Sequence, residues 1–152
     1  MNLESLYQEL ILDHYKNPLN KGLVQPSDVT VHHVNPSCGD EIDLNLSVDD
    51  HRLSSVTWDG VGCSISQAST SVMSDLVQGK SAQEASDLIH AFVEVMQSKG
   101  SLTGDEVLLG DAVAFAGVSK YPARVKCALL GWMALKDAMV QLDRYQPKPE
   151  KG

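Results

Sequence analysis

The sequence contains no Cys-x-x-Cys pair, and its cysteines number only 3. A sparse, odd set of thiols does not make a disulfide framework. No apolar run approaches the roughly 20 residues needed to span a bilayer. Residues 1–17 read as a short amphipathic helix rather than a secretory leader. These absences point to a reducing, cytoplasmic setting in which thiols stay free. Positive charge is also scarce: 12 Lys and Arg stand against 20 Asp and Glu, a formal net charge of −8. Nucleic acid, whose phosphates would repel such a chain, is not expected as a partner. The acidity suits docking on a basic protein surface, although charge used simply for solubility is the more frequent case. There is no P-loop, no Gly-x-Gly-x-x-Gly and no Ser-His-Asp grouping, and Gly60-Val61-Gly62 is too short for a dinucleotide fingerprint. Nor is there an internal repeat, a low-complexity tract or an interdomain linker. Residues 1–145 are therefore expected to form one domain, with 146–152, which hold two prolines, as a flexible tail.

The periodicity that is present describes an α+β chain. Leu3, Leu6, Tyr7, Leu10 and Ile11 fall at helical spacing, with Asn2 as a cap and Asn17-Pro18 as the stop. After a loop over 16–27, Val29 and Val31 mark a first strand. Ile42, Leu44, Leu46 and Val48 alternate with polar residues in a second, and a third runs from Arg52 to Trp58. Asp49-Asp50-His51 makes a tight turn, and the short connections predict an antiparallel meander. A helix follows Cys63, with Ser64 and Gln67 in a capping-box pattern and Gly79 as its end. Another covers 81–98 behind a second capping box, Ser81 and Glu84. Glu106–Leu109 reads as a short turn. The last helix opens at Pro122 and turns Val125, Leu129, Trp132, Leu135, Met139 and Leu142 inward. The predicted fold is a three-stranded antiparallel sheet with helices packed on one face.

The cysteines acquire meaning from that topology. Cys38 lies in Asn35-Pro36-Ser37-Cys38-Gly39-Asp40, between the first two strands, and Cys63 lies just after the third. In a meander these segments share one end of the sheet. Cys63 also opens a helix, whose dipole favours a thiolate. Cys127 sits on the apolar final helix, with Arg124 one turn earlier to place a cation beside the thiol. A single buried cysteine is usually a small core residue, and a single Asp in a turn usually serves the turn. It is the convergence of all four that argues for a metal or sulfur site. Three soft thiolates and one hard carboxylate, Asp40, can close a tetrahedral zinc shell. A carboxylate is uncommon in permanent structural shells, so the set points to an exchangeable one. Gly39 gives its loop freedom, which marks Cys38 as the mobile member. His14, His32, His33, His51 and His90 are scattered and read as surface or packing residues.

These segments resemble the U-type iron–sulfur assembly family, which includes IscU, SufU and the N-terminal part of NifU. The match runs through Tyr15-Lys16-Asn17-Pro18, the Cys38 segment, Gly60 to Ser69 and Tyr121 to Cys127, in the family's order. Two departures resemble the SufU branch. Lys126 stands where IscU has a histidine, and residues of about 80–100 add a segment that IscU lacks. The IscU chaperone motif Leu-Pro-Pro-Val-Lys is replaced by Gly117-Val118-Ser119-Lys120-Tyr121. The resemblance implies the IscU-type (SufE/NifU-like) fold and zinc held by Cys38, Asp40, Cys63 and Cys127. It also implies docking on a SufS-type, PLP-dependent cysteine desulfurase. A histidine of that partner takes over a zinc position, and the freed Cys38 accepts persulfide sulfur, with Arg124 favouring the anion. Delivery to downstream Suf components follows. The competing implication is a scaffold on which a transient [2Fe–2S] cluster is built and passed on.

Overall fold

The computed structural model describes residues 3–145. The expected cap at Asn2 and the expected tail over 146–152 lie outside the described residues. Three strands, β1 (Val29–Asn35), β2 (Asp40–Asp49) and β3 (Arg52–Val61), form one antiparallel sheet in the order β1-β2-β3. The meander follows from two tight connections. Asp49 pairs with Arg52 across Asp50 and His51, whose φ values of 51° and 63° are those of a type I′ hairpin turn. Asn35 pairs with Asp40, and the Asn35 carbonyl accepts the N–H groups of Cys38 (3.1 Å) and Gly39 (2.9 Å). Gly39 takes φ 71°, which only a residue without Cβ adopts freely. β3 continues past its expected end at Trp58 to Val61. Gly60 allows this, since a Cβ there would run into the Glu41 carbonyl oxygen.

The helices pack on one face, as the alternation predicts. Ile42, Leu44 and Leu46 are fully buried under them. Helix α1 (Leu3–Lys16) packs on α2 (Ser64–Val77), which lies against β3. The helix α5 (Pro122–Tyr145) crosses β1 and β2. Helix α3 (Ala82–Gln97) and the single turn α4 (Glu106–Leu109) lead into an 11-residue 3-10 helix, Gly110–Lys120. Phe92 of α3 stacks on Trp132 of α5 at 4.2 Å and meets Phe115 of the 3-10 helix edge-on at 6.2 Å. On the other face, the segment before β1 covers part of the sheet. Val24 N–H donates to Thr57 Oγ1 (3.1 Å), and Asn45 Nδ2 donates to the Val24 carbonyl (3.1 Å). Lys21 bridges to Trp58 along the β3 edge, which shields it from other strands.

One expectation needs correction, and one element had none. The Ser81–Glu84 capping box forms in both directions, but the Ser64–Gln67 one does not. Cys63 is the cap of α2, and its own N–H is taken by Asp40 Oδ1 at 2.9 Å, so the sheet supplies what a capping box would. Gln67 turns its carbonyl oxygen to Lys21 Nζ instead (3.2 Å). The 3-10 helix carries no sequence signal of its own. Its Ala112, Val113, Ala114 and Phe115 are consecutive buried residues, a run with no helical period.

Candidate metal centre

Four chain segments meet at one end of the sheet. The β1–β2 loop brings Cys38, the first residue of β2 is Asp40, the cap of α2 is Cys63, and α5 contributes Cys127. The last two are held in register by the α2–α5 contact. Ser69 Oγ donates to the Ala128 carbonyl (2.6 Å) and accepts the Trp132 indole N–H (3.0 Å). Gly131 lets the helices touch, since a Cβ there would overlap Thr70 Oγ1.

Cys38 Sγ and Cys127 Sγ are 3.2 Å apart, and both face the Ala123 carbonyl, at 4.0 and 3.6 Å. Cys63 Sγ lies 4.0 Å from Asp40 Oδ2. Ligand atoms of Cys38, Asp40 and Cys127 all fall within 4.8 Å of one another. Cys63 stays outside that mutual set and is joined to it through Asp40. Thiolates about 2.3 Å from a tetrahedral zinc sit about 3.8 Å apart, so seating an ion needs the Cys38 and Cys127 sulfurs, 3.2 Å apart, to separate slightly while the wider ligand distances close. The expected four residues thus share one end of the fold, three of them in mutual ligand range. Arg124 is exposed, and its guanidinium makes no ion pair among the described residues.

Burial divides the site. Asp40 and Cys127 are fully buried, Cys63 partly, and Cys38 is exposed. Burial pushes the Cys127 thiol far above its ordinary range, and hydrogen bonding with Cys38, Asp40 and Cys63 adds to the rise. Asp40 has no ion-pair partner among the described residues. A buried carboxylate beside three thiols is costly unless a cation joins it. The donor set therefore fits a soft divalent metal such as zinc.

Two further residues shape the site and were not singled out from sequence. A Cβ on Gly62 would overlap Asp40 Oδ1 and lie 2.8 Å from Ser66 Oγ, so the bare backbone is what lets Asp40 reach the Cys63 N–H. A glycine at a strand end is the available signal, since it marks close backbone approach. Asn35 is buried, and its Nδ2 points to Cys127 Sγ at 4.0 Å. Its place in Asn35-Pro36-Ser37-Cys38 gave no hint of that contact. Of the histidines, His14 is buried against Ser71 Oγ (2.8 Å) and His33 Nε2 meets Asp137 Oδ2 (2.8 Å), both ties between elements.

Fold and site together define a small α+β protein with a cysteine–carboxylate centre at one end of a three-stranded sheet. The chain belongs to the NifU-like N-terminal domain family, which matches residues 6–128. It is similar to the zinc-dependent sulfurtransferase SufU of Bacillus subtilis (strain 168), at 43% identity over 92% of this chain and 93% of the relative. It is also similar to the iron–sulfur cluster assembly scaffold protein IscU of Streptococcus pyogenes serotype M1, at 40% identity over 90% of this chain and 84% of the relative. The solved structure described as an iron–sulfur cluster assembly scaffold protein for the SUF system (FiSufU), from Fervidobacterium islandicum AW-1, superposes with a TM-score of 0.77 at 35% identity, covering 91% of this chain and 99% of that one. The family read from the cysteine segments is thereby borne out.

Proposed function

We propose that the protein serves iron–sulfur cluster biogenesis as a zinc-dependent sulfurtransferase. Cys38 accepts sulfane sulfur from the persulfide of a SufS-type, PLP-dependent cysteine desulfurase and passes it to downstream Suf components in the cytoplasm. The observation that carries this reading is the asymmetry of the centre: the sulfur of an exposed cysteine 3.2 Å from that of a buried one, beside a buried carboxylate with no ion-pair partner among the described residues. The sulfurtransferase name of the Bacillus relative supports it. Cys38, Asp40, Cys63 and Cys127 would hold the zinc. When bound, it supplies the positive charge that keeps thiols deprotonated.

The chain's own part is exposure and direction. Cys38 rides on a four-residue loop with Gly39 at φ 71°, so its sulfur can meet a partner while Cys127, on α5, remains buried. The Cys38 thiolate attacks the terminal sulfur of the donor persulfide. A new Sγ–S bond forms, the donor S–S bond breaks, and the donor cysteine leaves as a thiolate with the electron pair. Arg124 follows Ala123, whose carbonyl faces both sulfurs, and its guanidinium would favour the anionic product if turned toward them. The scaffold reading uses the same thiolates. Lys126, exposed beside Cys127 where IscU has a histidine, counts against it.

The test is mass spectrometry of the zinc-loaded protein after incubation with desulfurase and free cysteine. One added sulfur atom is expected on the Cys38 peptide and none in Cys38→Ala. Equal sulfur uptake by Cys38→Ala would overturn the assignment.

A further inference from the structure

Two sulfurs 3.2 Å apart pose a question of choice: a sulfane sulfur delivered to one can pass to the other by simple exchange. We propose that Asn35 makes that choice, holding Cys127 as the retained sulfur and Cys38 as the reacting one. The inference rests on the proposed role of Cys38 as acceptor.

One residue addresses both sulfurs. The Asn35 carbonyl accepts the N–H of Cys38 (3.1 Å) and of Gly39 (2.9 Å), which fixes the turn that carries Cys38 outward. The side-chain amide of the same residue points inward, with Nδ2 4.0 Å from Cys127 Sγ. Asn35 is 7% exposed, so a buried amide there is expected to be paired within the protein. Among the described residues Cys38 Sγ receives no N–H; it lies against Cys127 Sγ and the Ala123 carbonyl oxygen. An N–H aimed at a thiolate draws on its lone pairs and makes it a poorer nucleophile, as hydrogen bonds from outer partners do for metal ligands generally. The bond is long here and tightens as the sulfur gains negative charge. Asn35 is therefore a positioning residue: it touches no substrate and acts through the two cysteines. Its place at the last pair of the β1–β2 ladder, opposite Asp40, fixes it in register with the centre.

The experiment uses the full chain loaded with zinc and charged with inorganic polysulfide, so that no desulfurase is involved. Peptide mass spectrometry then reports how sulfane sulfur divides between Cys38 and Cys127. In the wild type it sits on Cys38. In Asn35→Leu, which keeps bulk without the donor, and in Asn35→Asp, which replaces the donor by an acceptor, the Cys127 share rises about tenfold, the usual worth of one hydrogen bond to a charged group. Cobalt(II) in place of zinc should show a shifted sulfur-to-metal charge-transfer band in the same variants. A wild-type sulfur distribution in both variants overturns the proposal. Should the variants not fold, the wild type decides: cadmium-113 NMR should show coupling between the Asn35 side-chain N–H and the metal through Cys127 Sγ, and its absence overturns the proposal. If polysulfide charges Cys38 but a desulfurase does not, the sulfurtransferase reading falls while the role of Asn35 stands.

Discussion

Residue by residue, the centre is a competition between charge and burial. Asp40 is buried with no ion-pair partner among the described residues, yet it is held in place by accepting the Cys63 N–H. That arrangement depends on Gly62. Gly62→Ala drives a methyl group into the Asp40 carboxylate. It should cost about 1–3 kcal/mol of stability and weaken zinc binding by about 10–100-fold, the usual effect of disturbing an outer partner. Chelator competition on the purified variant checks this. Cys127 sets a second expectation, for the metal-free protein. Its folded-state thiol is pushed above the ordinary value of 9.0, so above that pH the unfolded chain releases a proton that the folded chain keeps. Unfolding is then favoured, and stability present below about pH 9 falls as pH rises. Thermal melts between pH 8 and 10 should show the decline, and Cys127→Ser should flatten it. The cysteines and Asp40 were legible in sequence because their chemistry is carried by residue type. Asn35 and Gly62 were not, because what matters about them is a neighbour distant in sequence, Cys127 on α5 for one and Asp40 on β2 for the other.

At the level of elements, the strands were readable wherever one face is buried. Ile42, Leu44 and Leu46 alternate with Asp43, Asn45 and Ser47 because the helices cover one side. The 3-10 helix was not readable, since Ala112 to Phe115 are buried without interruption among α1, α2, α3 and α5. The cap of α2 was misread for a related reason: the Ser64–Gln67 spacing fits a capping box, but Asp40 already serves the Cys63 N–H. The α2–α5 contact is the element that places Cys63 and Cys127 together. Gly131→Ala should force these helices apart at Thr70, at a cost of about 1–3 kcal/mol. Thermal denaturation of the zinc-loaded and metal-free forms should reveal a larger loss in the loaded form, because the centre spans the displaced helices. Equal losses in the two forms would mean that the contact supports the core and not the centre.

The molecule as a whole is a meander whose three connections to helices and loops deliver soft donors to one end, with a net charge of −8 over its surface. Among the described residues no helix is long and apolar enough to cross a membrane. The family could be read from the cysteine segments because they are distributed along nearly the whole matched span, residues 6–128. The most direct test of sulfur transfer is the turnover of a SufS-type cysteine desulfurase with and without the zinc-loaded protein, iron excluded. The account predicts strong stimulation by the wild type and none by Cys38→Ala. Turnover unchanged by the wild type, with a desulfurase shown to be active alone, would contradict it.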